Sequence, residues 1–99
     1  MSDMPRASRE RSALHVAVAA QIRGERSALR LTMEQTAKQA GIPFSTYRKL
    51  DDGSGTADAE QLYRLCTRVY GFSLREFFSR VEARLAVHGD GEEDQPDEP

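Results

Sequence analysis

Between Thr32 and Gly53 the chain reads TMEQTAKQAGIPFSTYRKLDDG, and the second half of that stretch concentrates groups that can make directed contacts. Arg48 and Lys49 can donate to acceptors such as the O6 and N7 of guanine. Ser45 and Thr46 can bond to several bases, and Phe44 presents an apolar surface of the kind that meets a thymine methyl. No Ser/His/Asp, Cys/His or paired-carboxylate grouping supplies a nucleophile or an acid–base pair, and no glycine-rich loop follows a strand to cradle phosphate. Cys66 is the one cysteine, which excludes an internal disulfide, and with only His15 and His88 beside it there is no ligand set for zinc. The chemistry to expect is recognition, with no enzyme activity, metal or cofactor.

The formal charge of −2 hides an uneven distribution, because Asp90, Glu92, Glu93, Asp94, Asp97 and Glu98 all fall in the last ten residues. Residues 1–89 hold 14 basic and 10 acidic groups, a balance of +4. That body can attract phosphate while the tail opposes it. Twelve arginines against two lysines hint at a GC-rich bacterial or phage genome. No run approaches the ~18 apolar residues of a membrane span, and MSDMPRASRER lacks the apolar centre of a signal peptide. A cytoplasmic protein with no membrane partner is expected.

The elements that must position these residues are helical throughout, since apolar residues recur at helical rather than alternating spacing. Residues 1–11 form a basic arm and residues 89–99 an acidic tail, both expected to be disordered, around a single domain over residues 12–88. The first helix is expected from about Ser12 to Leu29, with Leu14, Val18 and Ile22 at four-residue intervals on one face. Thr32 and Gln35 form a capping-box pattern for a second helix from Met33 to Gly41, whose missing Cβ suits a left-handed turn. A third helix follows from about Pro43 to Asp52, proline being tolerated in a first turn. Asp58 with Gln61 opens a fourth, turning Leu62, Leu65, Cys66 and Val69 inward. Ser73 with Glu76 opens a fifth, carrying Leu74, Phe77, Phe78, Val81 and Leu85. Cys66 reads as a core thiol, and His15 as a surface or boundary residue of the first helix.

Ala37, Gly41, Ile42, Tyr47 and Leu50 supply a small residue where two helices cross, a glycine at the turn and an apolar pin for the next helix. Together with Ile22-Arg23-x-x-Arg26, Leu31-Thr32, Leu50-Asp51-x-Gly53, Leu62-x-x-Leu65 and Phe72-Ser73-Leu74-x-Glu76-Phe77-Phe78, this series resembles the Cro and lambda-repressor-like (XRE-type) helix-turn-helix family over about residues 18–78. The resemblance implies an all-α, five-helix lambda-repressor-like domain that binds double-stranded DNA as a transcriptional regulator, in this case a small phage or bacterial repressor. It further implies that Phe44, Ser45, Thr46, Arg48 and Lys49 meet bases from the third helix. Thr32, the amide end of the second helix around Met33, and the Ser54 to Thr56 loop would hold phosphates.

Several positions depart from the family pattern. Met33 stands where a phosphate-binding glutamine is frequent, Pro43 replaces a capping residue, and Arg30 stands where a helix-ending glycine is common. Asp51 replaces a glutamate paired with Arg26, so a stretched or water-bridged ion pair is expected, with a structural role. Arg6, Arg9 and Arg11 could reach along a groove. The fifth helix extends beyond the family's minimum, and Leu74, Phe78, Val81 and Leu85 follow a helix-pairing spacing that makes Phe78, Val81 and Leu85 the expected homodimer seam. Two rival readings stand beside the repressor. One is an antitoxin that binds a toxin; the other is a protein-interaction module that has lost DNA contact, motivated by Pro43 and Phe44.

Overall fold

The structure is a computed structural model that describes residues 12–89. The arm arginines Arg6, Arg9 and Arg11, the acidic tail over residues 90–99 and the His88 side chain lie outside the described residues. Five helices and no strand occur among those that are described: α1 (Ala13–Ala28), α2 (Met33–Ala40), α3 (Phe44–Asp52), α4 (Ala59–Leu65) and α5 (Leu74–Arg84). The last two each run on into a π-helical turn, Cys66–Tyr70 after α4 and Leu85–Gly89 after α5. No described helix is long and apolar enough to cross a membrane.

Local chemistry explains where the helices begin. Thr32 Oγ1 accepts from the Gln35 amide at 3.0 Å while Gln35 Oε1 accepts from the Thr32 amide at 2.8 Å, a complete capping box. Asp58 and Gln61 repeat it at α4. At α5 only half of the box forms. Ser73 Oγ accepts from the Glu76 amide, but the Glu76 carboxylate turns away to accept from Arg80 Nε at 2.8 Å. Pro43 lies one residue outside α3, as its cap, and makes no side-chain bond. Arg30, at the end of α1, holds a φ of 58°. That is the left-handed conformation that favours glycine, and an L side chain there costs about 1–2 kcal/mol.

One core joins the helices: Ile22 from α1, Ala37 and Ala40 from α2, Tyr47 and Leu50 from α3, Leu62 and Leu65 from α4, and Phe77 and Val81 from α5, with Ile42 and Cys66 between elements. Leu14 does share a face with Val18 and Ile22, yet it is 51% exposed, because the N-terminal half of α1 overhangs an open groove of about 420 Å³. Val81 cannot belong to a pairing seam, since it is completely buried beside Phe77 within the monomer. Phe78 is 37% exposed and lines the groove with Leu14, Val18 and Thr56.

Polar contacts set the helix-to-helix geometry. Arg26 Nε donates to Asp51 Oδ2 at 2.7 Å and its Nη2 to Asp51 Oδ1 at 3.2 Å. The pair is direct and bidentate, not stretched or bridged, so the shorter acid still spans from α3 to α1. Tyr47 donates its hydroxyl to Asp51 Oδ2 at 2.7 Å, and Arg23 donates to the Asp51 carbonyl at 2.8 Å. On the opposite side α1 and α5 run antiparallel, because Arg80 reaches Glu25 while Arg84 reaches Gln21. Arg80 also stacks over the Phe72 ring at 4.2 Å.

Removing one partner of a buried ion pair leaves the other uncompensated, at about 3–5 kcal/mol. Asp51→Ala, which also strips Tyr47 of its acceptor, is expected to lose at least 3 kcal/mol by that estimate in urea denaturation. A change within 0.5 kcal/mol or so would show the pair to be ornamental.

Burial pushes the Cys66 thiol up to about 11, with the Glu25 charge adding to the shift. The hydroxyls of Tyr47 and Tyr70 are also pushed up, chiefly by burial. All three shifts favour the neutral form, so each costs no stability below the group's ordinary value; the Cys66 penalty grows as pH rises from 9.0 through about 11, and those of the tyrosines begin above 10.0 and continue past that window. The urea midpoint should fall across that window, and less steeply in Cys66→Ala.

Candidate nucleic-acid interface

The candidate surface is built on α2, the three-residue connection Gly41–Pro43 and α3. Ile42 N donates to Ala37 O at 2.9 Å and Gly41 N to Lys38 O at 3.2 Å, which closes the α2 C-terminus with Gly41 at a φ of 74°. Ile42 is buried just beyond, so the turn is pinned by both hydrogen bonds and packing. A second clamp comes from α4. Arg64 Nη1 donates to the Gly41 carbonyl at 3.0 Å and Arg68 Nη1 to the Ala40 carbonyl at 3.1 Å. Two cations thus sit at the negative end of α2, where they satisfy carbonyls that the helix itself cannot.

The sequence reading missed this clamp. Its signal was present in the four-residue spacing of Arg64 on α4 and Arg68 in the π-helical turn that continues it. His15 is half-buried at the boundary, and its Nε2 lies 2.8 Å from the Gly53 carbonyl, which ties α1 to the end of α3.

With the turn held, α3 has a defined inner and outer face. Tyr47, Leu50 and Asp51 are buried; Phe44, Ser45, Arg48 and Lys49 are exposed, and Thr46 is half-buried. Phe44 is 41% exposed, so the ring is not part of the core. The Thr46 and Tyr47 amides donate to the Pro43 carbonyl, and Pro43 offers no side-chain oxygen. The amides of Phe44 and Ser45 therefore lack a partner within the helix, at its positive end, where an anion is favoured.

The cations divide into two groups. Arg23, Arg26, Arg64, Arg68, Arg80 and Arg84 each donate to an acceptor within the protein. Arg48 and Lys49 on α3, Lys38 on α2, Arg30 after α1 and Arg75 on α5 are exposed and donate to none among the described residues. Asp52 tempers the positive surface. Its carboxyl is held below the usual range first by hydrogen bonds from the Ser54 side chain and amide, then by the nearby charges of Arg48 and Lys49.

The expected phosphate ligands lie on two segments, the start of α2 and the loop after α3. Thr32 spends its hydroxyl on the capping box, and the Met33 side chain packs against the core, so that end of α2 offers the Met33 and Glu34 amides beside an exposed Glu34 carboxylate. Ser54 is engaged with Asp52, which sets a carboxylate beside it. Thr56 lines the groove shared with Leu14 and Phe78.

Hydrogen exchange tests the α4 clamp. Arg64→Ala with Arg68→Ala should speed exchange of the Gly41 and Ile42 amides about tenfold or more, one lost hydrogen bond being worth ~1.5 kcal/mol, while α5 amides keep their rates. Equal acceleration in both regions would mean that the arginines support the fold at large. Neither a family model, nor a curated protein, nor a solved structure matches the chain.

Proposed function

We propose that this protein is a sequence-specific regulator of transcription that binds double-stranded DNA in the cytoplasm of a bacterium or in the service of a phage. In this reading α2 and α3 act as a lambda-repressor-like helix-turn-helix. α3 enters the major groove with Phe44, Ser45, Thr46, Arg48 and Lys49 towards the bases, while α2 crosses the phosphate backbone. The single observation that supports it most is the division of cations. Off the α2–α3 surface six arginines are consumed by structural bonds and, among the described residues, Arg30 and Arg75 are not, whereas Lys38, Arg48 and Lys49 gather exposed and unbonded on it.

An unpaired exposed arginine contributes little to folding, so its retention there fits a contact made outside the chain. The arm arginines Arg6, Arg9 and Arg11 would add sequence-independent attraction. A homodimer would pair half-sites about one helical turn, roughly 34 Å, apart. Its seam cannot use Val81 and would rest on Phe78 and Leu85 with the flanking Leu14. No catalytic step and no cofactor belong to this reading.

A second reading has one observation in its favour: the exposed Phe44 ring also suits a protein partner, as in an antitoxin or an interaction module. Binding of genomic fragments at low salt separates the two. Selection should enrich a common, two-fold related sequence, and Arg48→Ala should cost about 1–3 kcal/mol on it while weakening random DNA far less. Equal losses on both would reject base reading by Arg48, and no binding at low salt would favour the protein-interaction module.

A further inference from the structure

Beside the smaller Ser45 and Lys49 pair at the same spacing, Phe44 and Arg48 are the aromatic and guanidinium pair of α3, four apart and so stacked on one face of the helix. Both are exposed, and Arg48 donates to no acceptor among the described residues. The two other large apolar side chains of α3, Tyr47 and Leu50, are buried, so the helix had an inner face available and presents this ring on the other one. The free amide end of α3 starts at Phe44, which places the ring at the tip that would lead into a groove.

The major groove offers one apolar feature, the 5-methyl group of thymine, and one paired acceptor edge suited to a guanidinium, the O6 and N7 of guanine. Residues four apart on a helix are about 6 Å apart along its axis, close to twice the ~3.4 Å spacing of stacked bases. With the reach of the arginine stem, the ring and the guanidinium can then fall on neighbouring base pairs.

Resting on the DNA-binding reading above, we propose that Phe44 and Arg48 act as one specificity unit for a 5-methylpyrimidine next to a guanine. Phe44 covers the methyl group and Arg48 pairs with the guanine. Because 5-methylcytosine carries the same methyl at the same ring position, binding responds to cytosine methylation wherever cytosine replaces that thymine.

The test uses the full chain and a duplex recovered by selection. Deoxyuridine in place of the thymine beside the guanine deletes only the methyl, and should weaken wild-type binding about fourfold, the value of one buried methyl. Phe44→Ala should bind the two duplexes equally, Phe44→Leu should keep part of the difference, and Arg48→Ala should keep the methyl effect while losing the preference for guanine. With cytosine at the same position, 5-methylation should strengthen wild-type binding and leave Phe44→Ala indifferent. Thermal melting of each variant checks that the exposed substitutions leave the fold intact. Specific binding with no response to the methyl, or a response that survives in Phe44→Ala, overturns the proposal and leaves the DNA-binding reading standing. Failure to select any duplex over random DNA takes both down.

Discussion

Three donors converge on the carboxylate of Asp51: Arg26 Nε and Nη2 from α1 and the Tyr47 hydroxyl from within α3. A fourth, from Arg23, takes the Asp51 carbonyl. The carboxylate is nearly inaccessible, so these donors stand in for the water it gives up on burial. Arg26 is tied in turn to the Leu31 carbonyl, and its proton is held more tightly than usual, first through the Asp51 hydrogen bond. The angle of α3 to α1, the outward aim of the α3 surface and the path into α2 therefore depend on one ionic junction. Hydrophobic packing alone would tolerate rotation of a nine-residue helix; a bidentate geometry with fixed directions does not.

The same economy governs Arg64, Arg68, Arg80 and Arg84. Arg80 serves Glu25 and Glu76 and covers Phe72, while Arg84 reaches Gln21, so α5 is bound to α1 by directed contacts around the buried Phe77 and Val81. Arg64 and Arg68 close the C-terminal end of α2. A chain with a modest core uses charged side chains as struts, and the charges left unbonded on α2 and α3 stand out for that reason. Net charge would not have shown this, since it counts a strut and a free cation alike.

Helix starts were legible from the sequence because capping is a matter of residues three apart. Thr32 with Gln35 and Asp58 with Gln61 close as their types require. The Ser73 box fails in its second half because Glu76 finds a stronger partner in Arg80, one turn further along the same helix. The contact between Arg26 and Asp51 was legible too, but its directness was not. Side-chain length does not say how near two backbones come. Of the residues proposed to touch DNA, Phe44, Ser45, Arg48 and Lys49 are exposed on α3 and Thr46 is half-buried; Ser54 bonds to Asp52, Thr56 lines the groove and the Met33 side chain packs on the core.

By itself the sequence determined the helical class, the order of the five helices, the left-handed turn at Gly41 and the inner faces of α3 and α4. Each of these follows from propensities and contacts within about one turn of helix. Only the tertiary structure decided that Leu14 overhangs an open groove, that Val81 is sealed inside, and that Arg64 and Arg68 reach back across more than twenty residues to hold the turn. Periodicity tells which residues share a face of a helix. Whether that face is covered depends on where another helix ends, and that is settled only when the chain is assembled.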